Sequence, residues 1–322
     1  MKKTLIGITF ALGLAASFGA AAQQPPLPKT LRLIVAYPAG GVSDVIARAL
    51  GEQLAQQTGS TVIVENKAGA SGSIGMDAVA KGAADGSVLG FSSVSPLVLN
   101  PYLGFSAFDP KKDIAPVASV MYSPVVLLAT PSEKAKDFKA LMAEAKASPG
   151  AIRWATSGQG SLGHIMLEQL KKSAAVDITH IPYKGGGQQM NDALGGQFEV
   201  LSTNTGPTVA PHIASGKLRP LAVGASARLG AMPDVPTLGE LGYKAANMSS
   251  QFGVFAPAGM APALVARYNA EINKALASTA LRARLQVTDN VPTGGSPADF
   301  AKEIAREYET NGRVLAASGI GK

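Results

Sequence analysis

Residues 31–44 read LRLIVAYPAGGVSD. A seven-residue stretch, apolar but for Arg32 and strand-forming, runs into Pro-Ala-Gly-Gly. From Asp44 the apolar positions Val45, Ile46, Ala49, Leu50 and Leu54 then recur at helical spacing, predicting a helix over 44–57. A buried strand that turns within a few residues into an amphipathic helix is the unit of an α/β layer. Working outward, strand 61–65, helix 74–81 and strand 87–92 complete a first set. Strands at 125–129, 152–156, 178–181, 198–202 and 218–223, alternating with helices at 138–147, 161–173 and 188–194, form a second. A strand at 254–256, a helix at 262–277, a strand at 287–290 and a helix at 297–317 finish the chain. That many strands exceeds one ordinary sheet. The expected fold class is therefore α/β in two lobes, each around a mostly parallel sheet, without a detectable sequence repeat. No Pro/Gly linker divides the chain, so the backbone is expected to cross between lobes twice, near 121–126 and 247–253. That division puts 30–125 with 246–322 in one lobe and 126–245 in the other.

The chain has 322 residues, 29 Lys+Arg against 22 Asp+Glu, 46% hydrophobic residues and no cysteine. It can bury a sizeable core and is no disordered polymer. The missing cysteine excludes a disulfide scaffold, a thiol nucleophile, an iron–sulfur cluster and a cysteine zinc site. Three histidines, His164, His180 and His212, leave little for a metal cage, and no cofactor or metal is implied. Lys2 and Lys3, the apolar run at 5–16 and Ala20-Ala21-Ala22 read as a secretory signal peptide over 1–22, cleaved after Ala22. Its apolar run is too short for a bilayer anchor, and no lipobox cysteine follows. The expected location is the periplasm. Dispersed basic residues without a nucleic-acid motif argue against nucleic acid as a partner; a modest positive charge instead helps steer small anions.

The glycines carry the chemistry. Strands run into small or polar turns at YPAGGVSD (37–44), SGQGSLGH (157–164), YKGGGQQ (183–189) and Ser92-Ser93, and three of these turns open a helix. Ligands of α/β sheets bind beyond the carboxyl ends of the strands. A helix N-terminus offers free N–H groups and partial positive charge to an anion, and glycine lets a ligand approach the backbone. Several such turns facing one another make a cleft for a small carboxylate or phosphate. None matches a P-loop or G-x-G-x-x-G. Asp44 reads first as a helix-capping carboxylate and second as a ligand contact. His164, one turn into its helix, is equally a structural or a ligand-facing imidazole; His180 reads as packing, and His212 receives no role. No G-x-S-x-G elbow is present, which leaves Ser161 with His164 as the weak basis for a hydrolase alternative. The scattered Gly and Ser residues suggest a polar, wet site rather than an apolar slot.

Longer stretches then resemble one family: LRLIVAYPAGGVSDVIARAL, ENKAGASGSIGMDAVAKGAADGSVL, SGQGSLGH, HIPYKGGGQQMNDALGGQ, GKLRPLAV, MPDVPTLGELG and VFAPAGMAPALVARYNAEINKAL. In this order they resemble the Bug-type extracytoplasmic solute receptors of tripartite tricarboxylate transporters. The resemblance implies a Venus-flytrap periplasmic binding protein, not an enzyme, with one small organic acid in the interlobe cleft. It implies integral membrane transporter subunits as partners, and a sensing role through a signalling partner is the alternative. A monomer is expected. Carried onto this chain, the ligand-binding set is Tyr37, Ala39, Gly40, Gly41, Ser43, Asp44, Ser92 and Ser93 from one lobe. The other lobe supplies Ser157, Gly158, Ser161, His164, Tyr183, Gly185, Gly186 and Asn204. Relatives often carry an acidic residue before that asparagine. Here Thr203 precedes Asn204, which favours a plain carboxylic acid over an amino acid.

Overall fold

A computed structural model of the protein describes residues 25–184 and 186–318. The expected signal segment and Gly185 lie outside them. The strands are β1 (Thr30–Val35), β2 (Thr61–Asn66), β3 (Val88–Ser93), β4 (Ile114–Ser123), β5 (Val125–Ala129), β6 (Arg153–Thr156), β7 (Thr179–Pro182), β8 (Val200–Asn204), β9 (Arg219–Gly224), β10 (Ser250–Pro257) and β11 (Val291–Pro292). The helices are α1 (Val42–Thr58), α2 (Ser73–Ala80), α3 (Ser95–Val98), α4 (Phe138–Ala147), α5 (Leu162–Ala174), α6 (Gly186–Leu194), α7 (Ala210–Ala214), α8 (Pro262–Ala277), α9 (Thr279–Val287) and α10 (Pro297–Ser318).

Two sheets result, ordered β11-β4-β10-β3-β1-β2 and β7-β6-β8-β5-β9. Each is the core of one α/β lobe. In each, three neighbouring strands run parallel: β2, β1 and β3 in one, and β7, β6 and β8 in the other. The rest are antiparallel additions, so the sheets are mixed rather than mostly parallel. The reason lies in the chain path. β10 enters the first sheet beside β3, and β5 enters the second beside β8, each antiparallel to its neighbour. Both arrive directly from the opposite lobe, so the crossing strands occupy matching places in the two sheets. β3, β5 and β10 are buried throughout, as strands covered by helices on both faces must be.

The helical periodicity beginning at Asp44 reads correctly: Ile46, Leu50 and Leu54 of α1 are all but inaccessible and join Leu31, Leu33 and Val35 of β1 in one apolar cluster. On the sheet's other face α2 lies so close to the end of β1 that a Cβ on Gly75 would sit 2.6 Å from the Ala36 Cα. In the second lobe α4 and α5 pack on one face, around Trp154, while α6 and α7 cover the other. Two local readings fail. β4 goes unrecognised because Pro116 interrupts its pattern; it sits at a register irregularity opposite Phe255, where a ladder tolerates proline. The strand expected at 287–290 is instead the last residue of α9, whose Leu281 and Leu285 are buried one helical turn apart, and the turn that follows it. Asp289 then turns with φ 52° into β11.

The crossings are fastened by one side chain. The Asn204 Nδ2 donates to the carbonyls of Ser123 and Pro124 at 3.2 Å, and to the Ser250 Oγ at 3.1 Å. It thus joins the segment leaving the first lobe to the segment returning to it.

Candidate functional site

A cavity of about 660 Å³ lies between the lobes. Its first-lobe wall starts where β1 ends. The 37–41 turn leads into α1 with Gly41 extended and no side-chain cap, so the first-turn N–H groups of Val42, Ser43 and Asp44 have no intrahelical partner. Tyr37, Ala39, Gly41 and Ser43 line the cavity here. The Tyr37 hydroxyl lies 2.6 Å from the Ser93 Oγ, which also faces the cavity, and the ring stands edge-on to Phe252 at 6.0 Å. Burial pushes the Tyr37 phenol up, only partly offset by its serine hydrogen bonds.

The second-lobe wall is built the same way. β6 runs into Ser157–Gly160, Ser161 caps α5, and Ser157, Ser161, Leu162 and Gly163 line the cavity. The N-termini of α1 and α5 thus reach one space from opposite lobes. Gly186 adds the start of α6, and Val125, Asn204, Ser250 and Phe252, from the crossing strands and the end of β8, complete the wall.

Six expected contacts stand behind this lining. Asp44 braces the α1 turn, accepting from the Gly40 N–H and the Asn66 Nδ2, both at 3.0 Å, and from the Arg48 Nε at 3.1 Å. Burial pushes its carboxyl up, but these hydrogen bonds outweigh it and hold the group below the usual carboxylate value. Gly40 is consumed in that turn. Ser92 is fully buried in β3. Gly158 faces Ser71 of the opposite lobe, whose Oγ is 2.6 Å from where a Cβ would stand. Tyr183 donates to the Asp192 Oδ2 at 2.7 Å, and burial, then this bond, pushes its phenol up to about 12.

His164 is the sixth. Its ring stacks on His180 with centroids 4.1 Å apart, and its Nδ1 accepts the Gly160 N–H at 3.3 Å. His180 in turn is 2.8 Å from the Thr156 Oγ1 through Nε2. The Ser161 hydroxyl accepts the His164 backbone N–H at 3.4 Å rather than facing its ring. The hydrolase alternative on this pair therefore fails, since nucleophile and base must be within hydrogen-bond reach of each other.

A family profile described as "Tripartite tricarboxylate transporter family receptor" matches residues 46–320. The chain belongs to this family. BugT of Bordetella pertussis is 38% identical over 322 residues, covering 98% of this chain and 96% of the relative. Among solved structures, Rpa4515 of R. palustris, determined with adipate, is 28% identical with a TM-score of 0.85, covering 90% of this chain and 97% of that one. MatC of Rhodopseudomonas palustris, with bound malate, is 27% identical with a TM-score of 0.82, covering 89% and 98%. The protein is thus a solute-binding receptor of the Bug type, not an enzyme, with the two-lobed fold of periplasmic binding proteins.

The receptor's cavity holds more than the glycine turns disclose. Thr203 lines it beside Asn204, and Ser71, Ser95, Gln189, Asn191, Thr208 and His212 contribute as well. Ser71 and Gln189 carried a signal, in the Gly-rich run 69–72 and the YKGGGQQ turn, and Thr203 stood out beside Asn204. The rest come from strand ends and helix flanks with no local motif. The wall also includes Val42, Val125, Leu162, Met190 and Phe252. The site is therefore less polar than the scatter of Gly and Ser implies, because these apolar side chains are brought in by tertiary packing. Among the described residues the lining contains no Lys, Arg, Asp or Glu. Among the described residues no group of three or more His, Cys, Asp or Glu is placed to hold a metal, and no helix is long and apolar enough to cross a membrane.

Proposed function

We propose that this receptor captures a small organic carboxylate in the periplasm and delivers it to the membrane subunits of a tripartite tricarboxylate-type transporter. One observation carries the reading: two helix N-termini from opposite lobes, α1 and α5, meet at a single cavity with serine hydroxyls and no acidic side chain. Such N-termini favour an anion through free N–H groups and the helix dipole. The apolar wall suits the ligand's carbon skeleton, and waters complete the hydrogen bonding. Adipate and malate in the two solved relatives support the same ligand class. Closure is a hinge motion about the two crossings, with 30–125 plus 246–322 moving against 126–245, favoured by a ligand touching both lobes. The mature chain, from Gln23, acts as a monomer. Asp44, Gly40, Ser92, Gly158, His164 and Tyr183 support the loops, while Ala39, Gly41, Ser43, Ser93, Ser157, Ser161 and Gly186 contact the acid.

The test is thermal unfolding of the ligand-stripped mature chain against a panel of organic acids. Ligand at 100 times its Kd adds about 2.7 kcal/mol, which is roughly 5–10 °C for a chain of this size. A saturable shift with one or a few carboxylates, each recovered unchanged, is expected. Absence of any shift across mono-, di- and tricarboxylates overturns the assignment.

A further inference from the structure

The cavity's two sides differ chemically. On one, α1 and α5 present N–H groups and hydroxyls. On the other stands α7, which packs on the opposite face of the second sheet from α5. From α7 and the loop before it, Thr208 and His212 reach the cavity. Among the described residues, His212 is the only one in the lining able to carry a full positive charge, since none of the others there is Lys or Arg.

Its state contrasts with that of the other two histidines. His164 and His180 stack on each other and commit ring nitrogens to Gly160 and Thr156. The His212 ring makes no hydrogen bond, ion pair or ring contact with any described residue, although its backbone is tied to Val209, Ser215 and Leu218. It is half-buried at the cavity wall. An imidazole donates an N–H in either protonation state and is therefore a competent partner for a carboxylate. The helix termini satisfy one anionic group. A second one at the far end of the ligand would meet no other described lining residue able to carry positive charge than His212.

We propose that His212 is the specificity-determining residue for the far end of the ligand, donating an N–H to a second anionic group. The receptor then prefers dianionic acids over monoanionic acids of equal chain length. Thr208, on the loop before α7, adds a hydroxyl to the same wall. The proposal rests on the carboxylate reading above and adds the identity of the second contact.

The experiment is calorimetric titration of the mature chain with matched pairs: succinate and butyrate, adipate and hexanoate, octanedioate and octanoate. These differ only in the terminal carboxylate. The wild type is expected to bind at least one diacid roughly 10- to 100-fold more tightly than its partner, the range for a hydrogen bond to a charged group. His212→Leu should erase that gap by weakening the diacid, and His212→Gln, which keeps an N–H donor, should restore part of it. Equal affinities within every pair in the wild type, or a gap that survives His212→Leu, overturns the role of His212 and leaves the carboxylate site standing. Binding of no acid in any pair by the wild type overturns the carboxylate reading itself, and the proposal with it. The unliganded melting temperature of each variant, expected to match the wild type because the ring has no partner to lose, separates a binding defect from a folding one.

Discussion

Stacked imidazoles at 4.1 Å, His164 on His180, sit directly behind the loop that presents the α5 N-terminus. Burial pushes both down; for His180, burial first, then the neighbouring His164 and Lys171, lowers the value to about 3. For His164, Glu168 opposes the shift and Lys171 adds to it. In the unfolded chain a histidine titrates near 6.5. Below that pH the unfolded state takes up protons that the folded pair refuses, so stability falls as pH drops from about 6.5, and above it this contribution is constant. For His180 the loss between pH 7.5 and pH 5 is up to about 2 kcal/mol. His180→Gln keeps a partner for Thr156 and removes the titration. Urea unfolding at the two pH values should show a clearly smaller loss in the variant than in the wild type. An unchanged pH dependence would mean the pair does not resist protonation.

At the scale of one element, α5 does two jobs through Ser161. Its Oγ caps the helix, accepting the His164 N–H, and the same residue lines the cavity. Ser161→Ala should cost about 1 kcal/mol as a lost cap, together with weaker ligand binding. Ser161→Asp separates the roles, because aspartate caps as well as serine but carries negative charge into the proposed anion site. Denaturation should show near-wild-type stability for it, and calorimetry a loss of carboxylate binding of at least 100-fold. Retained binding would place the anion elsewhere. This helix start was legible in the sequence because capping and turn chemistry are local, written within the eight residues SGQGSLGH. The same holds for α1 and the 37–44 turn. What could not be read was adjacency. Thr203 and His212 share a cavity with Ser250, some forty residues on, only because β8, β10 and α7 converge on it. Asp44 and His164 were legible as residues of the right loops, but whether they face the ligand or the scaffold depends, besides Arg48 one helical turn after Asp44, on Asn66 and His180, which no spacing links to them.

Across the whole molecule, the lobes already touch at the rim of the cleft. The Ser71 Oγ donates to the Gln159 carbonyl at 2.7 Å. Ser71 belongs to a run, Gly69 to Gly72, in which every residue has positive φ, including Ala70 at 45° and Ser71 at 50°. The run is held by the Asn100 Nδ2, which donates to the Ala70 carbonyl at 3.2 Å and to the Ser73 Oγ at 2.7 Å. Opposite it, Gly160 leaves no room for a side chain: a Cβ would stand 2.7 Å from the Asn100 Oδ1 and 2.8 Å from the Leu103 Cδ1. Gly160→Ala therefore acts against closure, and its backbone cost can be isolated. Gly216 has a similar φ, +70° against +76°, with nothing within 4 Å of its would-be Cβ. Gly216→Ala thus reports the left-handed penalty alone, about 1 kcal/mol. Both variants should lose that stability. Only Gly160→Ala should bind ligand about 10-fold more weakly, since each 1.4 kcal/mol set against the closed state lowers apparent affinity tenfold. Its ligand-saturated form should also show a larger radius of gyration by small-angle scattering than the wild type. Equal affinity and equal size for the two variants would mean that the lobes do not need this contact, and that the rim glycines serve the turn rather than closure.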